Sequence, residues 1–403
     1  MRTLRNRSFS LLMSGQLVSK LGNNLYMIAL PWYVYVTTGS KLLLAVTGLA
    51  QSLPAIAGLF SGVFVDRWQK RKVMLTVDAI RVVLCVALFL LAVQHANIYT
   101  IVMTVLLLET AGRFFGPAAT SIIPIIVNSE DLAEASGLEQ SGGGIAQLVG
   151  TIAGGPLIQG LGAPFLFLAN AITYGVSVLS LGFLKVSEPL AQPTEPPSFV
   201  REWLEGFSIT VKSRFILLIT LAAMAANFGF AAFDISLTAW VKGPMHGNAI
   251  DLALVGASFF SGVLAGGVAL GPISKLLNLR TILVGGLFAV AGLTGLVGLK
   301  NLLWWAMPIL FLVGIGVSLM NGSLGAFAYQ VVPSHVRGRV FGTLSAASTL
   351  TAPLGMALYG YLMIHIPLHI LFILIAIPAF LSGVSLLVPT KDDSGNLEVG
   401  LEA

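Results

Sequence analysis

Six ionisable side chains stand inside long apolar runs of this 403-residue chain: Lys20, Asp78, Arg81, Glu109, Arg113 and Asp234. In hydrocarbon a charged side chain costs about 2.5–3.5 kcal/mol on insertion scales, so each needs an opposite charge, a proton or a water-filled cavity. A carboxyl placed this way is a proton-binding group, because apolar surroundings favour its neutral form and a nearby cation its charged form. Glu109 and Arg113 are four residues apart, share a helix face and can pair. Asp78 and Arg81, three apart, read as a structural pair. Uncharged polar residues extend the pattern at helical spacing. Gln16, Lys20, Asn23 and Asn24 form one stripe, and Gln140, Gln147 and Thr151 a second. Thr220, Met224, Asn227, Asp234 and Thr238 make a third, with Ser318 and Asn321 a shorter one. Tyr26, Phe114, Phe228, Phe230 and Phe233 would suit a planar or amphipathic molecule, whereas Trp240, Trp304 and Trp305 read as interfacial anchors near helix ends. Trp32 and Tyr33 fit either role.

Catalytic and metal chemistry find little support. Cys85 stands alone in an apolar run, so no disulfide forms within the chain and no thiolate metal site can be built. No HExxH, GxGD or GxxxxGK[ST] pattern occurs, and His335, His365 and His369 fall near loops or helix ends. The expectation is a protein that is not an enzyme and takes no cofactor and no metal.

These groups must be positioned by membrane-spanning elements. Of all residues 56% are hydrophobic and 10% are charged, against about 25% charged in a typical soluble domain. The mean hydropathy is +0.90. Too few charges exist to coat a soluble surface, which excludes soluble enzymes and nucleic-acid binders. A bilayer-crossing helix needs about 20 mostly apolar residues. That window gives twelve spans, at 9–37, 42–65, 73–94, 98–127, 137–160, 164–186, 214–240, 250–275, 280–299, 302–328, 337–363 and 368–388. The basic N-terminus leads into an apolar run without a small-residue cleavage site, so a retained first span is expected. With both termini inside, sixteen Lys and Arg fall on the cytoplasmic side, Arg67, Arg280 and Arg337 among them. Lys41, Lys242 and Lys300 fall on the other. This positive-inside asymmetry accounts for most of the formal charge of +5.

The longest polar interruption separates six spans from six. The expected organisation is a bundle over 1–186, a cytoplasmic linker over 187–213, a second bundle over 214–388 and a polar cytoplasmic tail over 389–403. Phe199, Trp203, Phe207 and Val211 would make part of the linker an amphipathic helix on the inner leaflet. The halves echo each other. Asn23 and Asn227, and Val127-Asn128-Ser129 and Val332-Pro333-Ser334, recur at nearly one offset, and GPISKLLNLR from Gly271 is a worn relative of GVFVDRWQKRK from Gly62.

That last segment carries the most information. Gly62, Asp66, Arg67, Lys70, Arg71 and Lys72 resemble the loop 2–3 signature of the major facilitator superfamily, with Gln69 where the family usually has glycine. Arg113 with Gly116, spaced R-x-x-G, resembles in altered form the R-x-x-x-G of its proton-antiporter motif, with Phe115 and Pro117 in place of the usual companions. Gly150, Gly154, Gly155 and Pro156 partly match its antiporter glycine-proline motif. LGNNLYMIALPWYVYVTTGS, FFGPAATSIIPIIV and VPSHVRGRVFG are similar to bacterial exporters of the macrolide and enterobactin type. The resemblance implies an all-α membrane fold of twelve helices in two six-helix bundles around a central cavity, with both termini cytoplasmic. It implies that spans 1, 4, 7 and 10 line the cavity, and that Asp66 meets the start of span 11 as a cytoplasmic gate formed by Gly62, Asp66, Arg67, Lys70 and Arg71.

The expected function is proton-coupled export of amphipathic small molecules, drugs or metabolites, by alternating access. Glu109, Arg113, Asp234 and Lys20 are the proton-coupling candidates. Gln16, Asn23, Asn24, Tyr26, Gln147, Met224, Asn227, Phe230 and Asn321 are the substrate-cavity candidates. A specific siderophore exporter or lysophospholipid transporter is the alternative, and a membrane enzyme or receptor the alternative of another class. Partners would be a small-molecule substrate, protons and the lipid bilayer of a bacterial inner membrane, with no nucleic acid, and the chain would act as a monomer.

Overall fold

A computed structural model of the chain describes residues 3–186, 207–332 and 337–387. Among the described residues the regular structure is helical throughout. In chain order the helices are α1 (Arg7–Thr38), α2 (Lys41–Ser52), α3 (Ala55–Arg67), α4 (Lys70–Val93), α5 (Ile98–Gly112), α6 (Phe115–Ile126), α7 (Leu132–Leu161) and α8 (Ala163–Phe183). After the linker come α9 (Arg214–Phe230), α10 (Phe233–Lys242), α11 (Ala249–Leu276), α12 (Leu279–Val297), α13 (Leu303–Val331), α14 (Arg337–His365) and α15 (Leu368–Ser385). Among the described residues ten segments are long and apolar enough to cross a membrane. Neither α1, of 32 residues, nor α7, of 30, is among them, although both are long enough to span. Their polar stripes lower the average. Of the linker, 207–212 is helical, while 187–206 and the tail from 388 lie outside the described residues.

Three expected spans are each two helices. The second breaks at Leu53–Pro54, because a proline offers no N–H to the turn before it. Helix resumes at once, with Gly58 N–H donating to the Pro54 carbonyl at 3.1 Å. The fourth breaks at Arg113–Phe114, and Pro117 sits in the first turn of α6, where a missing N–H costs nothing. The seventh breaks at Ala231–Ala232 with no proline. Ends are fixed locally. Asn6 accepts from the Ser8 and Phe9 amides at the start of α1, and Gly39 closes it at φ +63°, a left-handed position that suits glycine.

The chain divides into two compact units, Met1–Pro193 with Val241–Ala257, and Thr194–Trp240 with Ser258–Ala403. The division falls inside α10 and α11. Within the first unit α1 packs on α7 and α8, and α4 on α5 and α8. Within the second, α9 packs on α14 and α15, and α12 on α13 and α15. The two units thus repeat one set of helix pairs, and even one clamp. Arg71, at the start of α4, donates to the Leu181 and Gly182 carbonyls at the end of α8 at 2.9 and 2.6 Å. Arg280, at the start of α12, donates to the Leu386 carbonyl at the end of α15 at 3.2 and 2.8 Å. Each guanidinium meets carbonyls at a helix end, at the negative end of its dipole; the Leu181 carbonyl also accepts from the Leu184 amide at 3.2 Å.

Close crossings depend on bare backbone. On α11 and α13 a side chain at Gly262 would strike the Phe311 carbonyl, and one at Gly314 the Phe259 carbonyl. Gly314→Ala is therefore expected to destabilise the second unit by about 1–3 kcal/mol, the usual cost of overpacking. Gly325→Ala on the same helix, where a methyl meets open space, should not. Thermal unfolding of the detergent-purified protein compares the two.

Candidate functional site

The first unit holds a polar core. Asp78, Arg81 and Cys85 recur along one face of α4, and Asn170, Tyr174 and Ser177 along one face of α8. Asp78 is fully buried and receives Arg81 Nη1 on Oδ1 at 3.4 Å, the pair that the spacing predicts. The Arg81 guanidinium lies over the Tyr174 ring at 5.0 Å and the Phe115 ring at 5.6 Å. From α1, Asn23 accepts from the Tyr174 hydroxyl and, at 3.4 Å, from Asn170 Nδ2. Asn170 Nδ2 also reaches Cys85 Sγ at 3.8 Å. Tyr26 is buried, edge-on to Phe167 at 6.0 Å, and its hydroxyl faces Glu109.

Glu109, half-buried on α5, lies near enough to both Arg113 and Arg81 for their charges to attract it. The expected Glu109–Arg113 ion pair does not form among the described residues. Because α5 ends at Gly112, Arg113 leaves the helix and its Nη2 donates to the Gln51 carbonyl of α2 at 3.3 Å, beside Gly58 of α3.

A second polar strip runs between α1 and α7. Lys20 pairs with Glu139 at 3.4 Å, both partly exposed. Asn24 Nδ2 donates to the Lys20 carbonyl at 2.7 Å, Gln16 is buried with its Nε2 unpaired, and the Gln147 carbonyl accepts from Thr151 at 2.9 Å. The antiporter-like glycines shape this contact on two faces. Gly150 and Gly154 admit Asn24 and Ile28 of α1, while Gly155 admits Ala249–Ala253 of α11. Lys242 lies over the Trp32 ring at 5.5 Å, which ties Trp32 to α10.

In the second unit the third stripe splits by exposure. Thr220 and Thr238 are buried and bond their own helix carbonyls at 2.8 and 3.1 Å. Asn227 and Asp234 are exposed, as is Asn321 on α13. Asn227 Nδ2 donates to the Ala223 carbonyl of its own helix at 2.9 Å. Met224 is half-buried, its carbonyl accepting from Thr351 at 3.2 Å, and Phe230 stacks at 5.2 Å on Phe233.

Of the loop motif, Asp66 and Arg67 are exposed, Lys70 Nζ caps the Asp66 carbonyl at 2.9 Å, and Gly62 has open space around it. Arg71 is the clamp described above. No group of metal-ligating side chains is found among the described residues.

Sequence reasoning missed Glu139, the partner of Lys20, and the Asn170, Tyr174 and Ser177 face. The latter has helical spacing, a signal that was present, but it carries no charge and so did not stand out. It also missed Gly112, where a side chain would run into Arg81.

The sequence profile of the Major Facilitator Superfamily matches residues 12–348 and again 245–400. The chain is similar to "Macrolide efflux protein A" of Streptococcus pyogenes, 23% identical over 359 residues that cover 87% of this chain and 88% of the relative. It is similar to "Multidrug efflux pump Tap" of Mycobacterium tuberculosis, 22% identical over 393 residues, 93% of this chain and 91% of the relative. Among solved structures, the nucleoside transporter NupG superposes with a TM-score of 0.78 at 12% identity, over 94% of this chain and 98% of that one. A bacterial homologue of the iron transporter ferroportin, in its inward-facing state, gives 0.74 at 13% identity, over 94% and 98%. At these identities the structures show a shared fold.

Two adjacent asparagines separate folding from function. Asn23→Ala leaves the Tyr174 hydroxyl and the Asn170 amide without their acceptor in the core, and is expected to cost about 1–3 kcal/mol of stability. Asn24→Ala, on the α7 side, keeps the Cβ that fits Gly150 and should spare stability while altering transport. Unfolding temperature and substrate efflux, measured on both variants, check this.

Proposed function

The chain belongs to the Major Facilitator Superfamily, and on that premise we propose that it is a proton-coupled exporter of amphipathic small molecules that works by alternating access. That it is a multi-pass membrane transporter, not an enzyme, with efflux pumps among its relatives, follows from the family and the similarities given above. The observation that carries the finer reading is where polarity sits. α1 and α7 are long enough to cross a bilayer yet too polar to count as apolar spans, and their polar residues gather on the strip Gln16, Lys20, Asn24, Glu139 and Gln147. Counting both as spanning makes twelve crossings, with both termini on the cytoplasmic side of a bacterial inner membrane. The two six-helix bundles would be 1–186 and 214–388. The second half has exposed polar residues of its own at Asn227, Asp234 and Asn321.

A mostly apolar cavity with scattered amides and a few aromatic rings suits amphipathic substrates that differ in shape. Macrolide and multidrug export by relatives supports that substrate class. Glu109 is the proton carrier in this reading. A carboxyl between a tyrosine hydroxyl and two guanidinium groups changes charge when small movements alter which of them it meets. Asp234 is the second candidate, and Lys20 with Glu139 a charge pair at the cavity edge. Asp66 would close the cytoplasmic side against the start of α14; of that approach, 333–336 lie outside the described residues. The transporter acts as a monomer.

Glu109→Gln is expected to cut pH-gradient-driven transport in inverted vesicles by at least about tenfold, a change worth 1.4 kcal/mol. Exchange of substrate across the membrane without a gradient should persist. Undiminished gradient-driven uptake in this variant would remove Glu109 from the role.

A further inference from the structure

The Arg81 guanidinium is held on four sides: by Asp78 Oδ1 at 3.4 Å, by the Tyr174 and Phe115 rings, and by the bare backbone of Gly112. Gly112 lies three residues beyond Glu109, so both are on one face of α5. Arg81 therefore stands against the face that carries Glu109, and only a glycine at 112 lets it do so. The groups that face this cluster come from four helices. They are Tyr26 of α1, Asp78 and Cys85 of α4, Glu109 of α5 with Arg113 at its end, and Tyr174 of α8; α6 contributes the Phe115 ring.

The hydroxyls around the pair serve both carboxyls: that of Ser177 faces Asp78 and that of Tyr26 faces Glu109. Arg81 Nε is buried with no hydrogen-bond partner among the described residues, so the guanidinium keeps an N–H that a second arrangement can use.

We propose that Arg81 is the counter-cation shared by Asp78 and Glu109, with Gly112 as the positioning residue that admits it to both. This rests on the proton-coupled reading and assigns its chemistry. In the arrangement seen here Arg81 leans on Asp78 while Glu109 faces Tyr26. A proton taken from the outer water onto Glu109 makes that carboxyl neutral, and Arg81 then serves Asp78 alone. When Glu109 releases the proton inward its carboxylate regains a share of Arg81. Asp78, Glu109 and Arg81 together alternate between a net charge of −1 and zero, or zero and +1 with Arg113 counted, and the movement of one guanidinium links protonation to how α4 and α5 meet.

The test is a double-mutant cycle on Gly112→Ala and Arg81→Lys, with Gly175→Ala as a control glycine whose methyl meets open space. A methyl at 112 strikes Arg81 Nη2, an atom that lysine lacks. Gly112→Ala should therefore lower gradient-driven transport at least about tenfold with Arg81 present, and have under about a twofold effect in the Arg81→Lys background. Unfolding temperatures of the purified variants should be non-additive in the same sense, and this readout needs no transport substrate. Additive losses in both measurements, or a silent Gly112→Ala, would overturn the proposal. A wild-type chain indifferent to the pH gradient while the stability cycle remains non-additive would instead refute proton coupling and leave Arg81 seated at Gly112 as a structural contact, which also ends the shared-cation role.

Discussion

Hydrocarbon offers no partner to a polar group, and most of this molecule's architecture follows from that single shortage. Each N–H, hydroxyl or charge within a span must find its partner inside the protein or face water held by it. Threonines take the local solution. Thr47, Thr110, Thr220 and Thr238 turn back to the carbonyl four residues earlier, which satisfies the hydroxyl without asking anything of a neighbouring helix. Asn24 and Asn227 turn one amide back in the same way, onto the Lys20 and Ala223 carbonyls, while charges and the remaining amide groups must look across. Asn23, Asn170, Tyr174, Asp78 and Arg81 consequently weld α1, α4 and α8 into one cluster.

The same shortage explains why the repeat survives in some places and not in others. Helix ends expose carbonyls in both units, so the arginine clamp persists as Arg71 and as Arg280, although the surrounding motif has worn from GVFVDRWQKRK to GPISKLLNLR. Lys275 stands where the first motif has Asp66, so the second copy keeps its clamp and reverses the charge that would latch. Within the spans the halves diverge further. The first unit concentrates its ionisable groups in α1, α4, α5 and α7. In the second, α12 and α15 carry no charge beyond Arg280, and Asp234 is the one acidic group of α9 and α10. Duplication supplied the scaffold twice, but charge chemistry developed mainly in one copy.

How much of this could be read from the residues depends on the range of the interaction. Apolar length and the loop motif are local, and they gave the helical membrane class and the family. Breaks at Pro54 and at Arg113–Phe114 were hidden because a window that averages hydropathy passes smoothly across a lost hydrogen bond. The break matters for chemistry, since it takes Arg113 off the helix on which i,i+4 spacing had paired it with Glu109. Asn23 and Asn24 look alike in a stripe, yet adjacent residues point about 100° apart on a helix of 3.6 residues per turn. One lies in the core and the other against α7, and only the neighbouring helices decide which. Lys20 with Glu139 shows the same limit, since 119 residues separate them.

A buried ion pair such as Asp78–Arg81 is weak evidence for stability on its own. Desolvation of two charges offsets much of their attraction, and well-packed apolar residues of similar volume often hold a fold as firmly. Here the Arg81 guanidinium also keeps a buried Nε–H without a partner among the described residues. The rigidity of α4, which α5, α6 and α8 already pack, does not call for such a pair. The cation–π contacts to Tyr174 and Phe115 point the same way, since attraction to a ring face does not use up the carboxylate partners of the guanidinium. A cation held in part by rings is a component suited to changing its carboxylate partner, and the bare surface at Gly112 places that exchange against α5.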